Sequence, residues 1–309
     1  MAHKPVVLVV QPLLAPLLPL LAVDYDVVAG WAADAADRLP AIEALVAAGE
    51  FPLPRDYLES MPRLRLIACF TVGYDGVDMD WARARGIAVC HASGANADDV
   101  ADHAIGLILA HRREIVAGDA MVREGHWAQG PKRLTRSLGG ARLGVMGLGA
   151  IGMAVARRAE AMRMQVRWWG PRPRPDAPWP RADSLMALAR DSDILVLSPR
   201  VDASNSGAVD AAVMEALGPQ GLLVNVARGQ LVDEDALIAA LKDGRLGGAA
   251  LDVFAQEPTD AARWADVPHI VLTPHGAGAT DQSVARMTVM LLDNLKAHFS
   301  GRALPTPVG

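Results

Sequence analysis

The stretch Val145-Met146-Gly147-Leu148-Gly149-Ala150-Ile151-Gly152 decides how the rest of this 309-residue chain is read. It is a G-x-G-x-x-G set between an apolar run over 143–146 and an alanine-rich helical pattern over 153–162. Each glycine has its own physical reason. Gly147 permits a tight strand-to-helix turn, Gly149 lets backbone approach a pyrophosphate, and Gly152 lets a helix pack closely on a sheet. The pyrophosphate would rest on the positive end of the helix, against the backbone of Leu148, Ala150 and Ile151. The bland alternative is a glycine-rich turn in an α/β core, and the residues on either side must decide between the two.

Working outward, the bulk composition excludes several classes. At this length the chain has room for two domains and a substantial core. Hydrophobic residues make up 51% and the net charge is −5, so neither disorder nor a nucleic-acid footprint is indicated. Cys69 and Cys90 lie in apolar, strand-like runs and read as reduced core residues; no Cys/His spacing suits a metal site. Lys4 followed by apolar residues up to Val23 imitates a signal peptide. Pro12, Pro16 and Pro19 break that helix, however, and no small-residue cleavage site follows. The expected location is the cytoplasm, with no membrane partner.

Upstream of the glycine motif, short β-branched runs alternate with helical patterns. Strands are expected at 6–10, 26–28, 64–70 and 87–91. Helices are expected at 39–48, closing at Gly49, and at 79–85, ending at Gly86. The loop Thr71-Val72-Gly73-Tyr74-Asp75-Gly76-Val77-Asp78 follows a strand, where open α/β sheets bind ligands. The adjacent N–H groups of Val72 and Gly73 suit a small carboxylate, although on composition alone an ordinary turn rich in Gly and Asp is the favoured reading. A long helix is expected from Asp99 to about Val116, capped by Asn96 or Asp98. Residues 121–137, with Trp127, Gly130 and Pro131, lack periodicity and read either as an arm on a partner or as a surface loop.

Downstream, strands are expected near 143–146, 165–169, 193–197, 222–226, 249–253 and 270–273. Helices near 150–163, 183–190, 210–217 and 233–242 lie between them. A last amphipathic helix from Asp281 to His298 carries the chain back. The expected fold is α/β, two doubly wound, Rossmann-like parallel-sheet domains. The cofactor domain (98–281) is inserted in a substrate domain (1–97 and 282–309).

A NAD-preferring site carries an acid about 20 residues past the motif, bonded to the ribose 2′-OH. Gly170 stands there instead, followed by Pro171, Arg172 and Arg174. Guanidinium groups bind a 2′-phosphate that a carboxylate would repel. Asp176 competes, but it follows two prolines and is expected to lie out of reach. NADP(H) is therefore the expected cofactor, with NAD(H) the alternative.

Three residues at successive strand ends carry the chemistry: Arg228 in Asn225-Val226-Ala227-Arg228-Gly229, Glu257 in Asp252-Val253-Phe254-Ala255-Gln256-Glu257-Pro258, and His275 in Leu272-Thr273-Pro274-His275-Gly276-Ala277-Gly278. Hydride transfer to a ketone builds negative charge on its oxygen and needs a proton donor. A His beside a carboxylate stays protonated near neutrality, and an Arg binds a substrate carboxylate in a planar, bidentate way. Singly, a capping Arg, a surface Glu and a loop His are commoner. Downstream of a dinucleotide motif, their joint occurrence favours catalysis.

With these motifs in view, the chain resembles the D-isomer-specific 2-hydroxyacid dehydrogenase family from Thr71 through Pro305. Within it the NADPH-linked glyoxylate/hydroxypyruvate and hydroxyphenylpyruvate reductases are most similar. The stretch Asp98-Asp99-Val100-Ala101-Asp102-His103-Ala104-Ile105-Gly106-Leu107 and Ala227-Arg228-Gly229 with Val232-Asp233-Glu234 add to the resemblance. It implies that Arg228 orients substrate, Glu257 tunes the acid, and His275 donates the proton. It also implies that Val72 and Gly73 hold the substrate carboxylate, and that Asp252 holds the nicotinamide carboxamide. Val226, Ala227, Arg228, His275 and Ala277 are further expected cofactor contacts. A homodimer through the long helix and the arm is implied as well. Ser198-Pro199-Arg200-Val201-Asp202-Ala203 departs from the family's Pro-Leu-Thr-Pro-like loop, leaving the role of Arg200 open. His103 and His126 read as structural or surface residues. The expected reaction reduces small 2-oxoacids such as glyoxylate or hydroxypyruvate. Arylpyruvates are the alternative if the pocket near Phe51–Pro54 and Trp127 is roomy. A formate- or phosphite-type oxidation has no support in these residues. A dinucleotide-sensing module with little turnover is the rival from another class.

Overall fold

A computed structural model describes residues 4–128 and 134–308. In chain order it shows β1 (Val6–Val9), a 3-10 turn (Pro12–Leu17), α1 (Leu18–Leu21), β2 (Asp26–Ala29), α2 (Ala35–Arg38), β3 (Ala44–Ala47), α3 (Arg55–Glu59) and β4 (Leu66–Cys69). Then come α4 (Met79–Ala84), β5 (Ala88–Cys90), α5 (Ala97–Arg112), α6 (Ile115–Arg123), β6 (Arg142–Met146), α7 (Ala150–Ala161) and β7 (Gln165–Trp169). The chain continues through α8 (Leu185–Arg190), β8 (Ile194–Leu197), α9 (Ala211–Leu217), β9 (Leu222–Asn225), α10 (Glu234–Lys242) and β10 (Gly248–Leu251). It ends with α11 (Ala261–Trp264), β11 (Ile270–Leu272) and α12 (Asp281–Phe299). Two compact units result, one of Met1–Asn96 with Thr280–Gly309 and one of Ala97–Ala279.

The first unit holds a five-stranded parallel sheet in the order β2-β1-β3-β4-β5. Its inner strands β1, β3 and β4 are buried along their whole length, as parallel strands under crossover helices must be. Val7, Val9, Ala44, Val46, Leu66 and Ala68 pack with Leu14, Leu17, Leu21 and the α12 residues Met287, Leu291 and Leu295. The apolar segment of the N-terminal stretch is thus core, with Pro12 opening its 3-10 turn. The α12 residues recur at four-residue spacing on one helix face, and each such side chain contributes about 1.5–3 kcal/mol when buried. Cys69 and Cys90 are free and buried, and burial pushes both thiols up to about 12.

Two sequence expectations are corrected here. Residues 39–48 are not a helix: after α2 and a short 3-10 turn, β3 becomes the middle strand of the sheet. Ile42 and every residue from Ala44 to Ala48 are fully buried. A short run buried on all sides has no periodicity to separate strand from helix. Gly49 is accordingly not a helix cap; a Cβ there would lie 2.3 Å from the Gly73 carbonyl oxygen. The helix expected over 99–116 starts at Ala97 and stops at Arg112, and α6 begins after Glu114, whose φ of 51° is left-handed. Neither proposed cap serves, since Asn96 Oδ1 is buried with no partner among the described residues and Asp98 sits inside α5, bound to Arg158.

The second unit holds a six-stranded parallel sheet, β11-β10-β9-β8-β6-β7. Along β8, Ile194 and Val196 face one core while Leu195 and Leu197 face the other, the two-residue period of a strand. Beyond β7 a single parallel bridge joins Trp168 to Arg181. That bridge is a vestigial strand. Counting it third, the order becomes the 3-2-1-4-5-6 of dinucleotide-binding sheets with one strand added. No helix among the described residues is long and apolar enough to cross a membrane.

Candidate active site

The strand order of the second unit reverses between β6 and β8, and ligands bind such sheets at the carboxyl ends flanking that crevice. The glycine motif occupies this point. Gly147 has φ 88°, and a Cβ there would press on the Pro199 backbone at 2.7 Å. A Cβ on Gly152 would stand 2.1 Å from the Gly147 carbonyl oxygen, so helix α7 can approach only with hydrogen at this position. Gly149 is different: a Cβ would meet nothing within 4 Å. No side chain caps α7, leaving the N–H groups of its first turn open to an anion. Two glycines are demanded by packing and one faces open space, which fits a dinucleotide pyrophosphate. Leu148 is buried, Ala150 exposed and Ile151 half-buried around this turn.

At the end of β7, Gly170 is buried, and a Cβ there would meet only ordinary contacts. Pro171 and Arg172 are exposed, and Arg172 pairs with no carboxylate among the described residues. Arg174 is engaged: Nε and Nη2 donate to Asp176 at 3.1 and 3.0 Å, and Nη1 donates to the Leu148 carbonyl at 2.9 Å. The turn that closes from Arg174 to Ala177 brings Asp176 back onto Arg174, so the prolines before it do not isolate it. Arg181 was not singled out from the sequence. It donates to the Gly170 carbonyl at 2.6 Å and lies over the Trp168 ring, 5.6 Å from its centroid. Only the vestigial strand, invisible as a pattern, brings it there.

Arg228, Glu257 and His275 stand on the loops after β9, β10 and β11, neighbours in the sheet. The first two loops are in tight contact, for a Cβ on Gly229 would lie 1.8 Å from the Phe254 carbonyl carbon. The Glu257 Oε1 atom accepts the Phe254 N–H at 2.9 Å, and Oε2 lies 2.6 Å from His275 Nδ1. Arg228 is half-buried and donates to the Ala227 carbonyl at 2.7 Å; Val226 and Ala227 are buried beneath it. The His275 pKa is raised, chiefly by the Glu257 hydrogen bond and then by that carboxylate's charge, against desolvation and the Arg228 charge. Burial pushes Glu257 up, but the His275 and Phe254 hydrogen bonds with the His275 and Arg228 charges bring it below the usual carboxylate value. Nδ1 is thus the committed nitrogen. His275 Nε2 has no partner among the described residues, on a side chain 38% exposed.

Asp252 is 1% exposed and its carboxylate accepts the Thr273 hydroxyl at 2.5 Å and the Gly276 and Ala277 N–H groups at 3.0 and 2.9 Å. Its carbonyl accepts the His275 N–H at 2.7 Å. Sequence reasoning offered Asp252 as a cofactor ligand and missed this clamp on the loop that carries His275. Three of about four acceptor positions on the carboxylate are taken, leaving one. His103, read from the sequence as structural or surface, reaches the same cluster.

In the first unit, Val72 and Gly73 are half-buried on the loop after β4. Thr71 Oγ1 accepts the Gly49 N–H at 2.9 Å and donates to Glu50 Oε2 at 2.6 Å; His91 Nδ1 lies 2.8 Å from the Val72 carbonyl. Glu50 and His91 brace this loop, and nothing in their sequence setting marks them. His126 is exposed, 3.4 Å from Glu124, and Gly130 and Pro131 of the expected arm lie outside the described residues. Among the described residues no group of three or more His, Cys, Asp or Glu side chains is arranged to hold a metal.

Comparison with known proteins agrees with this architecture. The family model for the D-isomer specific 2-hydroxyacid dehydrogenase NAD-binding domain matches residues 105–277. A glyoxylate/hydroxypyruvate reductase A of Arabidopsis thaliana is 40% identical over 86% of this chain and 85% of its own length. A hydroxyphenylpyruvate reductase of Plectranthus scutellarioides is 39% identical over 86% of this chain and 85% of its own. The crystal structure of an NADPH-dependent glyoxylate/hydroxypyruvate reductase from Sinorhizobium meliloti, with NADP and malonate, superposes with a TM-score of 0.91 at 37% identity. It covers 99% of this chain and 97% of the other. With the glycine turn, the three strand-end residues and these relatives together, the chain belongs to the D-isomer specific 2-hydroxyacid dehydrogenase family and is an oxidoreductase with a nicotinamide-dinucleotide domain.

Proposed function

We propose that the protein reduces small 2-oxoacids, glyoxylate and hydroxypyruvate foremost, to D-2-hydroxyacids with NADPH. The bound cofactor supplies hydride to the carbonyl carbon. Residues of this chain do the rest. Arg228 holds the substrate carboxylate and polarises the carbonyl, and Val72 and Gly73 offer further N–H donors to the carboxylate. The His275 Nε2–H delivers the proton to the oxygen as charge builds there, while Glu257 holds Nδ1 and stabilises the imidazolium. Asp252 keeps its one open acceptor position for the nicotinamide carboxamide, and Ala277 lies in the loop that Asp252 clamps. The observation that carries this reading is the 2.6 Å Glu257–His275 pair, with Nε2 uncommitted and Arg228 charge at hand.

NADPH is favoured over NADH by Arg172, which pairs with no carboxylate among the described residues and stands at the end of β7, where an acid would mark a NAD site. Homodimer formation through α6 and the arm is supported by apolar side chains left open there: Ile115 is 54%, Val116 61%, Val122 57%, Trp127 78% and Leu134 89% exposed. A panel of 2-oxoacids assayed with both cofactors tests the reading. Turnover of glyoxylate or hydroxypyruvate faster with NADPH is the expected result; no turnover of any 2-oxoacid would overturn it.

A further inference from the structure

The Asp252 clamp has one member from outside its own loop. His103, on α5, brings Nε2 to 2.9 Å from Thr273 Oγ1 and 3.5 Å from Asp252 Oδ1. The hydrogens in this chain of contacts can be ordered. The Asp252 carboxylate already accepts two backbone N–H groups, and the Thr273 hydroxyl points its hydrogen at it across 2.5 Å. The Thr273 oxygen is then left to accept, and His103 must donate through an Nε2–H. Asp252 gathers Gly276 and Ala277 in turn, and this holds His275 at a φ of 50°, a left-handed conformation that persists only when its surroundings dictate it.

We infer that His103 is a positioning residue: through Thr273 it fixes the Asp252 carboxylate, and through Asp252 the backbone that carries His275. The side chain itself transfers no proton in the reaction. What it supplies is an N–H fixed to a helix, so that the acceptor geometry of Asp252 is settled before cofactor and substrate arrive. The inference deepens the reductase reading and rests on it for its kinetic consequence only; the structural consequence is read separately.

Amide hydrogen exchange at Gly276 and Ala277 is measured in the wild type, His103→Leu, His103→Gln, Thr273→Val and the double variant His103→Leu/Thr273→Val. Steady-state kinetics with glyoxylate and NADPH accompany it. In His103→Leu the two amides should exchange about tenfold faster, as expected for losing one hydrogen bond to a charged network. Turnover should fall about tenfold, with KM for glyoxylate moving less than about twofold. His103→Gln carries an N–H at a similar reach and should recover most of both. Thr273→Val should match His103→Leu, and the double variant should be no worse than either, because one relay is cut once. Unchanged protection of Gly276 and Ala277 in His103→Leu, or a Gln variant no better than Leu, would overturn the inference. Should His103→Leu not fold, Thr273→Val against the wild type reads the same two amides. A wild type that turns over no 2-oxoacid defeats the reductase reading, while the exchange comparison still decides the role of His103.

Discussion

His275 Nδ1 donates to Glu257 Oε2 across 2.6 Å, joining loops 18 residues apart on neighbouring strands. The pair settles which imidazole nitrogen is available for chemistry. Because Nδ1 is engaged, the proposed reaction takes its proton from Nε2.

Replacing His275 should therefore abolish most turnover. His275→Ala is expected to lower kcat by about 100- to 10,000-fold, the usual worth of a placed general acid. Cofactor binding should weaken far less than turnover. The rate of reduced-cofactor consumption and a fluorescence titration of cofactor check the two halves; wild-type turnover in the variant would remove His275 as the acid.

The pH profile has a definite sign. Glu257 raises the His275 pKa, so the charged acid persists above the ordinary imidazole range. For 2-oxoacid reduction, kcat/KM should hold steady at lower pH and fall as pH rises through that raised value. In Glu257→Gln the carboxylate charge is gone, and the falling limb should move to lower pH. A limb that stays in place would assign it to another group. Oxidation of the hydroxyacid needs the neutral base and should show the opposite slope.

Cofactor choice should divide the two arginines. Arg172→Ala should weaken NADPH binding about tenfold while NADH changes little, since a 2′-phosphate loses one charge-assisted contact. Arg174→Ala should have the smaller effect on the NADPH/NADH ratio, because Asp176 already occupies that guanidinium. Dissociation constants for both cofactors in both variants test the ranking. An unchanged ratio in Arg172→Ala would remove the argument for NADPH.

The glycines should separate stability from binding. Gly152→Ala places a Cβ 2.1 Å from a backbone oxygen and should cost about 1–3 kcal/mol of stability or more. Gly149→Ala meets no atom of the protein and should leave the melting temperature nearly unchanged while weakening either dinucleotide. Thermal melts with and without cofactor distinguish them; a Gly149→Ala protein with full cofactor affinity would place the pyrophosphate elsewhere.

Much of the second unit was legible because its elements announce themselves. Helices α9 and α10 open on Asp210 and Asp233 as side-chain caps, and Gly147 to Gly152 carry a spacing with a mechanical cause. β3 was not legible. Its residues are buried on both faces, and neither a two- nor a 3.6-residue period survives full burial. The end of α5 was also hidden, since Glu114 takes a left-handed φ without a glycine to mark it.

By itself the sequence determined the class of fold, the place of the dinucleotide turn and the three strand ends from which Arg228, Glu257 and His275 project. Those follow from local spacing, in which each residue answers to its neighbours along the chain. Only the tertiary structure decided that Arg174 reaches the Leu148 carbonyl, that Arg181 covers Gly170, and that His103 reaches Thr273 across 170 residues of chain. Such contacts depend on how helices and strands stack, and that stacking is set by the burial of apolar faces, which leaves no periodic trace at the polar residues it brings together.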